Sequence, residues 1–200
     1  MSKESKSKVG LKGISPNVTV SELLIGSKKT VTGYHSQEYR PTELTRPIKC
    51  FAKDAWLGIG YYFWIEMMYT HFWGQDKKSS GASKSYDVYK ASLKIENCLN
   101  TVFNEEHYLF FRAMVKETIK NLKKQKIPVS LELVNKYLFE NVWTKQGIEG
   151  IIFDDKPTNP KNKNRVYSEI PDLYYEKRIQ VVIFELKNIN NFELYLEDQQ

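Results

Sequence analysis

What most constrains the fold of this chain is where its strand-like and helix-like segments fall: strands near both ends, helices in the middle, and no regular alternation of the two. Residues 178–184, Arg-Ile-Gln-Val-Val-Ile-Phe, are the clearest strand, and 148–153, 86–95 and 191–196 carry the same β-branched or alternating character. Residues 29–35 read as an early strand ending at His35. Between these runs, 104–126 sets Phe111, Val115, Ile119 and Leu122 on one side and most of its lysines on the other, the pattern of an amphipathic helix. Pro128 breaks it, Ser130 fits the N-cap of a second helix, and Gly147 ends that one. The order predicts an α+β fold rather than a doubly wound sheet.

Shorter features fill the gaps. A short helix is expected over 18–26, capped near Thr19 or Ser21, and a loop over 36–55 with Pro41 and Pro47. Trp64, Met68 and Phe72 at helical spacing predict one buried stripe that Gly74 terminates, with a flexible connection over 77–85 and a long polar loop over 154–170. Glu105 and Glu106 read as acids of a helix's first turn.

The chain has 200 residues, 41% of them hydrophobic, which suffices for a core and suits a single domain over 14–200 behind a disordered basic tail over 1–13. That tail supplies much of the formal +6 charge: residues 1–12 hold four lysines against one glutamate. In the body, Arg112, Lys116, Lys120, Lys123, Lys124 and Lys126 crowd one segment, and Lys156, Lys161, Lys163 and Arg165 another. Such runs serve either as solvated faces or as attractors of phosphate. The two cysteines, Cys50 and Cys98, form no CxxC unit, which fits a reducing cytoplasm and no disulfide framework. No apolar run approaches the roughly 20 residues of a membrane span, and the N-terminus lacks a signal peptide's apolar stretch.

Chemistry-bearing motifs are few. None of the three histidines sits in an HxxxH pair or beside a cysteine, so no metal site is expected. Gly-Lys-Ser/Thr phosphate loops, GxGxxG runs and GxSxG elbows are also missing. What remains is Tyr34-His35 at the end of an early strand, Gly58-Ile59-Gly60-Tyr61-Tyr62-Phe63-Trp64 entering an aromatic helix, and a late strand carrying Gln180.

In that order these elements resemble the diphtheria-toxin and poly(ADP-ribose) polymerase branch of the ADP-ribosyltransferases, and the small bacterial proteins related to it. The resemblance covers roughly residues 30–195, and its specific matches are His35 and Gly58 to Phe63. It implies a split β-sheet with helices, NAD as co-substrate and release of nicotinamide. It further implies that His35 hydrogen-bonds a ribose hydroxyl, that Tyr62 stacks on nicotinamide, that Tyr34, Gly58, Gly60 and Phe63 complete the cofactor-binding segment, and that Gln180 takes the third catalytic position, usually glutamate.

Elementary chemistry agrees with those roles. Nicotinamide in NAD is a flat cation that a tyrosine face can hold. Glycines at 58 and 60 permit positive φ and close approach of the backbone to a ligand. Gln180 can bond a ribose hydroxyl but cannot accept a proton or place a full charge beside a developing oxocarbenium, which points to transfer of a single ADP-ribose, with Glu185 as another acid in reach of the role. The expected protein is thus a toxin-like mono-ADP-ribosyltransferase acting on nucleic acid or protein, with Lys116, Lys120 and Lys124 as an RNA- or DNA-facing row and a neutralising protein as a further partner. Two alternatives are a nucleic-acid-binding module without chemistry, and an inactive NAD-fold regulator.

Overall fold

The strand-forming runs become seven strands of one mixed sheet in the computed structural model, which describes residues 29–53, 55–82, 84–155 and 178–199. The strands are β1 (Thr30–Glu38), β2 (Tyr61–Trp64), β3 (Tyr86–Lys94), β4 (Cys98–Asn100), β5 (Gly150–Asp154), β6 (Ile179–Ile183) and β7 (Ile189–Gln199). Across the sheet they run β4-β5-β6-β2-β1-β3-β7. Only β4 and β5 are parallel; every other neighbouring pair is antiparallel. The described residues therefore form one α+β domain, as the order of segments predicts. The expected tail over 1–13, the helix over 18–26 and nearly all of the 154–170 loop lie outside them.

Three helices connect the strands: α1 (Met67–Ser79), α2 (Glu105–Lys124) and α3 (Leu131–Leu138), the last continuing through a π-helical turn over Phe139–Trp143. Asn104 caps α2 by accepting from the His107 N–H, and Ser130 caps α3 by accepting from the Leu133 N–H, as expected for Ser130. One face of the sheet packs with α2 and α3 around Leu99, Phe110, Leu138, Trp143, Ile151 and Val182. The other gathers Phe63, Leu93, Ile152, Val181 and Ile183, with Phe192 of β7 against them. Alternation divides β2 between the two: Tyr62 goes with the first face, Tyr61 and Phe63 with the second.

The stripe expected from Trp64, Met68 and Phe72 does not form. Trp64 is the last residue of β2, and Met68 and Phe72 are 45% and 42% exposed, while Tyr69, Thr70 and Gly74 face inward. Gly74 lies inside α1 instead of ending it, and the helix runs on into the segment expected to be a flexible connection. A Cβ at Gly74 would stand 2.5 Å from carbons of the Tyr86 ring, so this position is bare because an aromatic ring rests on it.

Candidate functional site

The site begins at an edge of β2 that β1 does not fully occupy. On its other edge β2 pairs with β6 from Tyr61–Ile183 to Trp64–Gln180. Towards β1, Tyr34–Trp64 is the one paired position, although β1 itself pairs with β3 along its whole length. Beyond it the His35 ring reaches the next free carbonyl of β2, with Nδ1 2.8 Å from Tyr62 O. Further still, Gly60 exchanges backbone hydrogen bonds with Cys50, at 2.8 and 3.3 Å. The edge is thus satisfied in turn by strand backbone, imidazole and loop backbone, and a wedge opens between the end of β1 and the loop carrying Cys50.

That geometry fixes the state of His35. A carbonyl only accepts, so Nδ1 carries the proton and Nε2 presents a lone pair. Burial lowers the imidazole's pKa from 6.5, outweighing the opposing pull of Tyr62 O and the Gln37 side chain, so the ring is neutral near pH 7. Nε2 is buried and makes no hydrogen bond of good geometry among the described residues, the Gln37 side chain acting on the ring only loosely, and the Ser36 hydroxyl beside it is likewise unbonded. Buried polar atoms of this kind call for a partner.

The wedge widens into a pocket of about 440 Å³ lined by His35, Ser36 and Gln37 from β1, Trp56, Tyr62 and Trp64, Trp73 and Lys77 from α1, and Asp155, Arg178 and Gln180. This volume lies within the roughly 300–1,000 Å³ of small-molecule sites. Trp56 Nε1 donates to Gln180 Oε1 at 2.7 Å, and because an indole nitrogen can only donate, the amide oxygen is the atom held and the NH₂ group is left over as a donor. Tyr62 is tied at its tip: its hydroxyl donates to Gly58 O at 2.6 Å and accepts from the Leu57 N–H at 3.2 Å. Burial raises its phenol pKa further, so it stays protonated. Arg178 lies over the rings of Trp64 and Tyr69, 5.4 and 5.6 Å from their centroids, and pairs with Asp155 at 3.3 Å.

Of the residues expected to act, His35, Tyr62 and Gln180 meet at this pocket, whereas Tyr34, Gly58, Gly60 and Phe63 do not line it. The Tyr34 ring meets Tyr195 edge-on, and Phe63 is fully buried in the core. Gly58 has φ of +88° and borders a separate hollow against Asn135 of α3. At Gly60 a Cβ would come within 2.4 Å of the Val182 side chain, so close approach of β2 to β6 requires the glycine. Trp56, Asp155 and Arg178 were not singled out by the sequence; the acid-and-base pair flanking a long polar insertion was the available signal.

Lys116, Lys120 and Lys124 are exposed on α2, with Lys120 3.5 Å from Glu117, and none lines the pocket. His71 and His107 are engaged elsewhere, with Tyr86 OH and the Asn100 N–H, and no group of metal-binding side chains occurs among the described residues. Nor is any described helix long and apolar enough to cross a membrane. No family model, curated protein or solved structure matches the chain.

Proposed function

We propose that the chain is an NAD-dependent mono-ADP-ribosyltransferase that moves one ADP-ribose to a macromolecular acceptor and releases nicotinamide. The observation that carries this reading is the convergence of His35, Tyr62 and Gln180, from three strands distant in sequence, on one pocket. The parting of β1 from β2 beyond Tyr34–Trp64 supports it too, since the resemblance implies a split sheet. His35 Nε2 would accept from a ribose hydroxyl, the tethered Tyr62 ring would hold nicotinamide by its face, and the Gln180 NH₂ would donate to the sugar. The Tyr62 hydroxyl is pinned at two backbone groups, which leaves its ring little freedom to lose on binding. The exposed row of Lys116, Lys120 and Lys124 supports an acidic acceptor, nucleic acid or protein.

The Gln180 amide favours one competing reading, an NAD binder without turnover, because no carboxylate occupies that position. Incubation with NAD labelled in its adenylate, followed by separation of lysate protein, RNA and DNA, distinguishes the two. Transfer of label identifies both activity and acceptor; thermal stabilisation by NAD with no label and no nicotinamide release identifies a binder.

A further inference from the structure

We propose that Asp155 is the proton acceptor of this pocket, the carboxylate that the Gln180 position lacks. The proposal rests on the ADP-ribosyl transfer reading. Among the described residues lining the pocket, Asp155 is the only acid. Glu185, the alternative expected from the sequence, is exposed beyond the far end of β6 and does not line it.

Backbone register explains how Asp155 reaches the site. Phe153 of β5 pairs with Gln180 of β6, so Asp155, two residues on, returns to the same face and stands diagonally beside Gln180, roughly 7–8 Å between backbones. The pairing continues past the strand ends: the Asp155 N–H donates to Arg178 O at 2.8 Å, and the Arg178 N–H donates to Asp154 Oδ1 at 3.3 Å. Arg178 Nη2 then holds Asp155 Oδ2 at 3.3 Å while its guanidinium lies on Trp64 and Tyr69. Oδ1 is left without a partner among the described residues. An ionised carboxylate has about four acceptor positions, so an ion pair through one oxygen leaves capacity on the other. Burial raises the pKa of Asp155, Arg178 opposes that shift and the neighbouring Asp154 carboxylate adds to it, so the group is a better base than an exposed aspartate while its ion pair with Arg178 favours the carboxylate form.

The reaction then balances. The bond from ribose C1′ to nicotinamide breaks, its electron pair leaving with nicotinamide; the acceptor oxygen bonds C1′, and the acceptor's proton passes to Asp155. Water in place of the acceptor gives ADP-ribose and the same proton.

Four proteins test this: wild type, Asp155→Asn, Arg178→Gln, and Asp155→Asn combined with Gln180→Glu. Nicotinamide release, NAD binding by calorimetry and melting temperature are measured for each. Asp155→Asn is expected to lose about 100-fold or more in turnover while binding NAD normally, since a positioned base contributes at least that much. Gln180→Glu, which restores a carboxylate on the neighbouring strand, should recover part of it. Arg178→Gln breaks the same ion pair but keeps the carboxylate, so it should fall much less than Asp155→Asn. Equal losses in both single variants, with matching falls in melting temperature, overturn the proposal in favour of a strand-end ion pair. Turnover of a folded Asp155→Asn within about twofold of wild type overturns it as well. If wild type neither binds nor cleaves NAD, the transferase reading itself fails and the proposal with it.

Discussion

Replacing Trp56 with phenylalanine probes the contact that orients Gln180. The indole N–H lies 2.7 Å from Gln180 Oε1, and Gln180 is only 7% exposed. A phenyl ring retains much of the edge-on contact with Phe153, whose ring centroid is 4.8 Å from that of Trp56, but removes the donor. A buried acceptor left unpaired costs about 1–3 kcal/mol. For a chain of this length each kcal/mol lowers the melting temperature by roughly 2–4 °C, so Trp56→Phe should melt roughly 2–12 °C below wild type. Truncation of the larger ring adds a packing loss, which a double-mutant cycle removes: Trp56→Phe, Gln180→Leu and the double variant, each followed by thermal and urea unfolding. Because the double variant has neither an orphaned oxygen nor an orphaned N–H, the cycle should return a coupling of about 1–2 kcal/mol. A coupling near zero would refute the hydrogen bond as the device that holds the amide, and with it the assignment of the NH₂ group as the free donor.

Tyr62→Phe strips two backbone groups of their partner and unpins the ring but keeps its face, so it should lower the melting temperature by several degrees and weaken NAD binding less than Tyr62→Ala, which should lose both; calorimetry alongside thermal melts separates the effects. For His35 the folded pKa lies below the ordinary 6.5, so the unfolded chain binds more protons as the pH falls and stability declines below about pH 6.5, by up to about 1.4 kcal/mol per pH unit for this group. A His35→Gln protein should therefore lose less stability than wild type between pH 7.5 and 5.5 in parallel melts. Reversing Lys116, Lys120 and Lys124 to glutamate should weaken labelling of an acidic acceptor and leave NAD stabilisation in place; equal loss of both would tie α2 to the cofactor site instead.

Much of this architecture is legible from side-chain pattern alone. β3, β5 and β6 follow from β-branched or alternating runs, and α2 and α3 from apolar spacing together with Pro128 and Ser130. α1 is misread because its buried residues are not its most apolar ones: Tyr69, Thr70 and Gly74 face the sheet while Met68, Phe72 and Trp73 are exposed. β4 has three residues and owes its existence to pairing with β5, a relation between distant segments that no local window contains. The same applies to the site. His35, Tyr62 and Gln180 stand out through a family pattern, but Asp155 and Trp56 become visible only once β5 lies beside β6 and the loop before β2 folds over Gln180.

The interrupted seam between β1 and β2 has a mechanical consequence. It divides the sheet into a four-strand leaf, β4-β5-β6-β2, and a three-strand leaf, β1-β3-β7, whose edge-to-edge hydrogen bonding comes down to one residue pair and one imidazole. Elsewhere in each leaf, parting the strands breaks a run of hydrogen bonds. Here it breaks very few. What holds the two leaves at this seam is therefore side-chain packing more than backbone pairing: Phe63, Val181 and Ile183 of one leaf share a buried cluster with Ala91 and Leu93 of the other, and α1 packs on both β1 and β2, so the width of the wedge beside His35 is set by that core.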